Sequence, residues 1–253
     1  MKKKHLRNQD LIPQNLLDKV SIIGLGGIGS AIVQLLSIMG FKAINGYDPD
    51  GMEEHNFGTT LYPESFYSST GNNWKVTMAK KLAVMYGKST LEYTDFKMEY
   101  FTGEGQILYP KTFVCTDDMD SRKTAYESWK MLPEKEVFID LRMDALTMSC
   151  VTVIEDADNY MEYWFPPGES GESAPCTMKH TIFCANMIAG IGVNQLFNVL
   201  TGRPYYQYIW QGLSPYNVEH DKFTVIQDQT NPELNNNYTE EISYGNSTPY
   251  SLN

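Results

Sequence analysis

The sequence predicts an α/β fold, a Rossmann-like doubly wound, mainly parallel sheet with an antiparallel C-terminal extension. Three observations predict it. An apolar run ends in Gly24-Leu25-Gly26-Gly27-Ile28-Gly29, short apolar strands then alternate with helix-spaced apolar residues to about residue 141, and beyond that point the alternation is lost. With 253 residues, 42% of them hydrophobic and 20% charged, the chain is long enough to bury one substantial core.

Residues 20–23 read as a strand, after which Ile28, Ile32, Leu35, Leu36 and Met39 recur at helical spacing until Gly40 supplies a stop. A second strand over 41–47 runs into Asp48-Pro49-Asp50 and completes a βαβ unit. A helix over 73–86 follows, with Asn72 or Asn73 as N-cap and Gly87 as its end. Residues 112–115 form the next buried strand, Thr116-Asp117-Asp118 lead into a helix over 119–131, and 136–141 is again a strand. Strands over 148–154 and 161–165 have no helix between them, which sets up the antiparallel part. A loop rich in proline and glycine over 166–175 leads to Cys176 and a long helix over 180–200, with strands over 205–210 and 223–226. From residue 227 the chain has too few aliphatic side chains to offset the entropy of ordering, so the expected division is one domain over 1–226 and a polar tail over 227–253.

Composition narrows the partners. A net charge of -11, from 20 basic and 31 acidic residues, disfavours nucleic acid, which is held by clustered Lys and Arg. The basic start Met1-Lys2-Lys3-Lys4-His5 is not followed by a signal-like apolar stretch. The apolar run over 181–200 is interrupted by Asn186, Asn194, Gln195 and Asn198, so it reads as a buried helix and no membrane contact is expected. Cys115, Cys150, Cys176 and Cys184 form no CxxC pair, so neither structural zinc nor a disulfide framework is expected, and a reducing cytoplasm fits.

Gly24, Gly26 and Gly29 satisfy GxGxxG between a strand and a helix, where backbone amides approach a phosphate at the positive end of the helix; the plain alternative is a tight packing turn. Asp48 ends the second strand about 20 residues later, where a carboxylate accepts the hydroxyls of a ribose. ATP and NAD satisfy that pattern equally. The polar cluster continuing through Asp50 and Asn56 tilts the balance to ATP. Lys75 opens a helix against its dipole, a conflict that a phosphate would relieve, although a solvated lysine fits the position too. Asp117 follows a central strand at the ligand-binding edge of the sheet, where it would hold Mg²⁺ between phosphates or simply cap the next helix.

These residues carry a resemblance. GLGGIGS, DPD with Glu54 and Asn56, Lys75, CTDDMDSR, Asp140-Leu141-Arg142-Met143 and APCT before a long helix resemble the ThiF/MoeB family of ubiquitin-activating-enzyme-like adenylyltransferases over residues 7–203. The chain looks like the short ThiF-like proteins of phage and plasmid gene clusters. The resemblance implies a homodimer that binds ATP and Mg²⁺ and adenylates the C-terminal carboxylate of a ubiquitin-like protein or peptide. Asp48 would hold the ribose, Asn56 and Lys75 would contact phosphates, Gly27 would belong to the phosphate turn, and Asp117 would bind the metal. Arg7 would reach a γ-phosphate across the dimer, and Arg142 is a second candidate cation. Cys176, close to a helix N-terminus that would favour its thiolate, would accept the acyl group, or else it is a small buried side chain. The chain departs from the family at Thr59 and Thr60, which stand where an Arg-Gln pair is usual. That departure keeps a non-catalytic nucleotide-binding scaffold as the alternative, and an NAD-dependent oxidoreductase is a further one.

Overall fold

The computed structural model describes residues 3–5, 10–68, 71, 73–88, 90–154, 158–163, 181–213, 216–220 and 223–224. The first half follows strand–helix alternation: β1 (Lys19–Ile23), α1 (Gly27–Met39), β2 (Ala43–Tyr47), α2 (Lys75–Gly87), β3 (Tyr93–Lys97), β4 (Lys111–Val114), α3 (Met119–Lys130) and β5 (Val137–Asp144). The second half comprises β6 (Thr147–Val153), α4 (Ile182–Leu200), β7 (Tyr205–Tyr206), β8 (Tyr208–Leu213), β9 (Tyr216–His220) and β10 (Phe223–Thr224). Eight strands form one sheet in the order β3-β2-β1-β4-β5-β6-β8-β9, parallel from β3 to β5 and antiparallel from β5 onward. β7 and β10 make a separate two-stranded ribbon. The expected doubly wound sheet with an antiparallel extension is therefore the fold.

Both faces of the parallel part are covered, which is why β2 and β4 are buried at every position, the polar Asn45, Lys111 and Thr112 included. Val20 and Ile22 of β1 with Ile139 and Leu141 of β5 pack on one face against α1, α2 and α4. Ile23, Val114 and Phe138 face the other way, onto Tyr126 and Trp129 of α3 and onto Tyr160. α4 has the length and apolar content of a membrane span, but Cys184, Ile188, Ala189 and Leu196 are buried in the first of these cores. α1 ends as expected, with Gly40 in the left-handed region at φ 111° and its amide donating to Leu36 O at 3.1 Å.

Several local expectations are corrected. α2 begins at Lys75 after an N-cap at Trp74 that makes no side-chain bond; Asn73 instead clasps Ser68, accepting from its amide at 2.9 Å and donating to its carbonyl at 2.7 Å. Asn72 lies outside the described residues. The expected strand over 161–165 is replaced, as far as the described residues reach, by a 3-10 turn at Asp158–Glu162. Burial of one aromatic explains the change: Tyr160 wedges between Tyr126 and Phe138, with ring centroids at 4.4 and 5.2 Å. The strand over 205–210 divides into β7 and β8 at Gln207, whose carbonyl accepts from Thr152 N at 2.8 Å. The loop over 166–175 and the tail over 227–253 lie outside the described residues.

Candidate functional site

The sheet reverses its winding at β1, which sits between β2 and β4, so the crevice outside the carboxyl ends of these strands is the place where such sheets hold ligands. Three strand ends meet there. Gly24 N donates to Tyr47 O at 2.9 Å, and Cys115 N donates to Ile23 O at 2.7 Å. Gly24 has φ +87°, and a Cβ on it would lie 2.8 Å from the Cys115 carbonyl and 2.9 Å from Thr116 N, so the turn needs glycine on both counts. A Cβ on Gly29 would run into the Gly24 carbonyl. Gly26 is the N-cap of α1, with open space where its side chain would be, and Gly27 begins the helix beneath the Thr59 carbonyl. The result is a helix N-terminus whose orphan amides border open space, an arrangement suited to an anion.

Asp48 is buried beside this turn at 5% exposure. Its Oδ2 accepts from Leu25 N at 2.7 Å and its Oδ1 from Asp50 N at 2.9 Å, which locks the end of β2 to the glycine turn. Burial raises its carboxyl above the ordinary value of 3.8, outweighing the nearby Lys75 charge and the two amides. Lys75, the first residue of α2, places Nζ 2.6 Å from Asp50 Oδ2 and 3.9 Å from Asp48 Oδ1. The two carboxylates answer the conflict between this cation and its helix dipole. Asp50 is the replaceable partner, since its side chain is 60% exposed while that of Asp48 is only 6% exposed.

Asn56 lies in a 3-10 turn, Glu54–Gly58, and its Oδ1 accepts from Glu53 N at 2.8 Å. That bond shapes the segment leading to Thr59 and Thr60. The segment then crosses the start of α1: Leu61 N donates to Ser30 Oγ at 3.0 Å, and the Tyr62 hydroxyl donates to Leu25 O at 2.7 Å. Thr60 is buried there with a hydroxyl that has no hydrogen-bond partner among the described residues.

Asp117 is exposed just beyond β4. The capping role falls to Asp118, which accepts from Ser121 N at 2.6 Å, so Asp117 is not the cap. Arg142 lies on β5 among the residues facing α3, with Nε 2.8 Å from Asp140 Oδ2 and Nη1 donating to Tyr163 O at 2.6 Å. It is thus engaged by other groups. Arg7 and Cys176 lie outside the described residues. Cys115, just after β4, and Cys184, in α4, have thiols raised by burial, Cys115 to about 12.

The structure therefore gathers Gly24, Gly26, Gly27, Gly29, Asp48, Asp50, Lys75 and the loop carrying Asp117 around one crevice, with Asn56 shaping its roof. Sequence reasoning passed over Ser30 and Tyr62, which fix that roof. Ser30 closes the GLGGIGS motif and was visible there, but nothing local marks Tyr62. A separate groove of about 470 Å³ between α4 and β8–β9 is lined by Met187, Ile191, Asn194, Tyr206 and Tyr216 among others, with no charged side chain, so it offers nothing to a triphosphate.

Fold and crevice define a protein of the Rossmann-like nucleotide-binding class. Residues 14–236 match the sequence model of the ThiF family, and the chain belongs to that family. No curated protein matched the chain. Among solved structures, E. coli MccB crystallised with ATP is 13% identical, with a TM-score of 0.65 over 90% of this chain and 74% of that one. MccB with AMPCPP and MccA gives a TM-score of 0.66 at 13% identity, over 89% and 73% of the two chains. PaaA gives 0.64 at 19% identity, over 84% and 67%. These likenesses concern the fold.

Proposed function

We propose that the protein is an ATP-dependent adenylyltransferase that activates the C-terminal carboxylate of a peptide or ubiquitin-like protein. The observation that carries this reading is the buried Asp48 carboxylate, locked to the glycine turn through Leu25 N and backed by Lys75. Family membership supports it, as do similar folds crystallised with ATP and with MccA.

In the proposed reaction a carboxylate oxygen of the substrate forms a bond to the α-phosphorus, the bond from that phosphorus to the bridging oxygen breaks, and pyrophosphate leaves with the electron pair. Asp48 accepts the ribose hydroxyls. The amides of the glycine turn and Lys75 meet phosphate charge that grows in the transition state, and groups already held in place do this without reorganising. Lys75 would exchange its exposed partner Asp50 for a phosphate. Among the described residues no group of three or more His, Cys, Asp or Glu gathers, so an all-protein metal cage is not offered there. A single exposed carboxylate at the sheet edge does fit Mg²⁺, which takes few protein ligands alongside phosphate oxygens and would neutralise their charge. Asp117 is that carboxylate in this proposal.

Arg7 would supply charge from a second copy of the chain and Arg142 from within this one, while Cys176 would receive the acyl group where transfer follows. Exchange of labelled pyrophosphate into ATP tests the core of the reading. Purified protein that neither binds ATP nor exchanges pyrophosphate with carboxyl-terminal peptides would sink it. Thr59 and Thr60, in place of the usual Arg-Gln pair, support a second reading as a nucleotide-binding scaffold, which predicts ATP binding without exchange. Greater thermal stabilisation by NAD than by Mg·ATP would point to an oxidoreductase instead.

A further inference from the structure

Behind the crevice, on the sheet face that carries α3, lies a charged cluster of which only Arg142 has a part in the proposed chemistry. Arg122, in the first turn of α3, is 4% exposed. Its Nη1 donates to the Asp140 carboxylate and, at 3.1 Å, to Leu141 O, while its Nη2 donates to the Thr116 carbonyl. Asp140, wholly buried on β5, also holds Arg142 through Oδ2 and accepts from the Tyr160 hydroxyl at 2.9 Å. Arg142 continues the chain of bonds to Tyr163 O at 2.6 Å. One carboxylate thus joins α3, β5 and the 158–163 segment.

A buried ion pair adds little stability beyond what apolar packing of the same volume would give, so its distinctive product is geometry. The Thr116 carbonyl belongs to the planar peptide unit whose nitrogen is that of Asp117. Holding that oxygen sets the plane, and the plane sets the direction from which Asp117 leaves the backbone. Gly24 lies close to the preceding Cys115–Thr116 peptide, so close that a Cβ on it would meet the Cys115 carbonyl at 2.8 Å. The loop is held by the guanidinium and closely approached by the glycine turn.

We infer that Arg122 and Asp140 are positioning residues: they fix the Thr116–Asp117 peptide plane at the crevice and couple it to the 158–163 segment, from which the chain runs on toward Cys176. The coupling stands on the bonds just described; its value for Asp117 rests on the adenylation reading. An order change in either segment is then transmitted to the other through the one carboxylate.

Amide hydrogen exchange of the full chain tests the coupling without recourse to activity. Arg122→Lys keeps the charge but loses the fork that spans Thr116 and Asp140, and it should speed exchange in both 115–118 and 158–163 while β1 and β2 stay unchanged. Tyr160→Phe, the milder variant, should do the same from the opposite end and serves where Arg122→Lys does not fold. Acceleration confined to the mutated side in both variants would overturn the coupling. The second arm is pyrophosphate exchange: either variant should raise the Mg²⁺ concentration needed for half-activation and lower the rate about 10-fold, the scale of a lost supporting contact. Added to Asp117→Asn, it should lower the rate no further, because both act through one group. Additive losses would overturn the positioning role. Exchange of pyrophosphate absent from the wild type would refute the adenylation reading and, with it, the positioning of Asp117, while the amide measurement would still decide the coupling.

Discussion

Two ion clusters flank the same sheet edge, and they are built in opposite ways. Lys75 rests on Asp50, whose side chain is 60% exposed, with the buried Asp48 within reach. Arg122 rests on Asp140, which is wholly buried. In the first cluster water screens the pair, so on the adenylation reading an incoming phosphate would replace the carboxylate; in the second, replacing either partner strands a charge in the core. Burial also depresses the Arg122 guanidinium to about 10, with the neighbouring Arg142 charge adding to the effect. The wet cluster is suited to exchange partners and the dry one to hold a shape. Helical position does not distinguish them, since Lys75 opens α2 and Arg122 lies in the first turn of α3.

The contrast is broken most severely at the dry cluster. Arg122→Met should cost about 3–5 kcal/mol of stability in denaturant unfolding, the range for removing one partner of a buried pair. A cost near zero would show that Asp140 is adequately held by Arg142 and Tyr160 alone. Lys75→Met should behave differently, weakening ATP by about 1.5–3 kcal/mol in calorimetric titration, the scale of a hydrogen bond to a charged group, while stability shifts by only about 0.5 kcal/mol. Equal losses in folding and binding would erase the distinction.

Asp48 supplies a test by pH. Its carboxyl is raised above 3.8 by burial, so as pH falls it takes up a proton earlier than an exposed aspartate and ceases to be a pure acceptor for ribose hydroxyls. ATP affinity should therefore fall with a midpoint above 3.8. In Lys75→Met that midpoint should move higher still, because the cation that lowers it is gone; an unmoved or lower midpoint would assign the titration elsewhere. The smallest effect belongs to Asp50→Asn, where a screened partner is lost: stability should change by at most about 1 kcal/mol in thermal unfolding.

Much of the exchangeable cluster was legible in the sequence, because its parts sit at strand ends and helix starts that local patterns mark. The glycine turn, Asp48 after β2 and Lys75 at the head of α2 all fall where spacing placed them. The fixed cluster was not legible in that way. Arg122 and Asp140 are 18 residues apart on different elements, and a buried guanidinium shares its letter with a solvated one. The edge strands also escaped notice: β3 interleaves polar residues with aromatics, and β9 is exposed at every position, so neither carries the apolar run that marked the central strands. The strand expected over 161–165 shows the reverse failure, since its first residues belong to the 3-10 turn Asp158–Glu162, from which Tyr160 is buried.

The exposed β9 closes the sheet on one side, and among the described residues nothing pairs with its outer edge. An edge strand of this kind is a template on which a strand of another molecule could add. What opposes such addition between copies is colloidal: each carries a net charge of -11, and Glu219 places one negative charge on the edge itself. At a physiological screening length of about 8 Å that repulsion is short-ranged. Salt concentration, more than temperature, should govern how concentrated a solution of this protein stays clear.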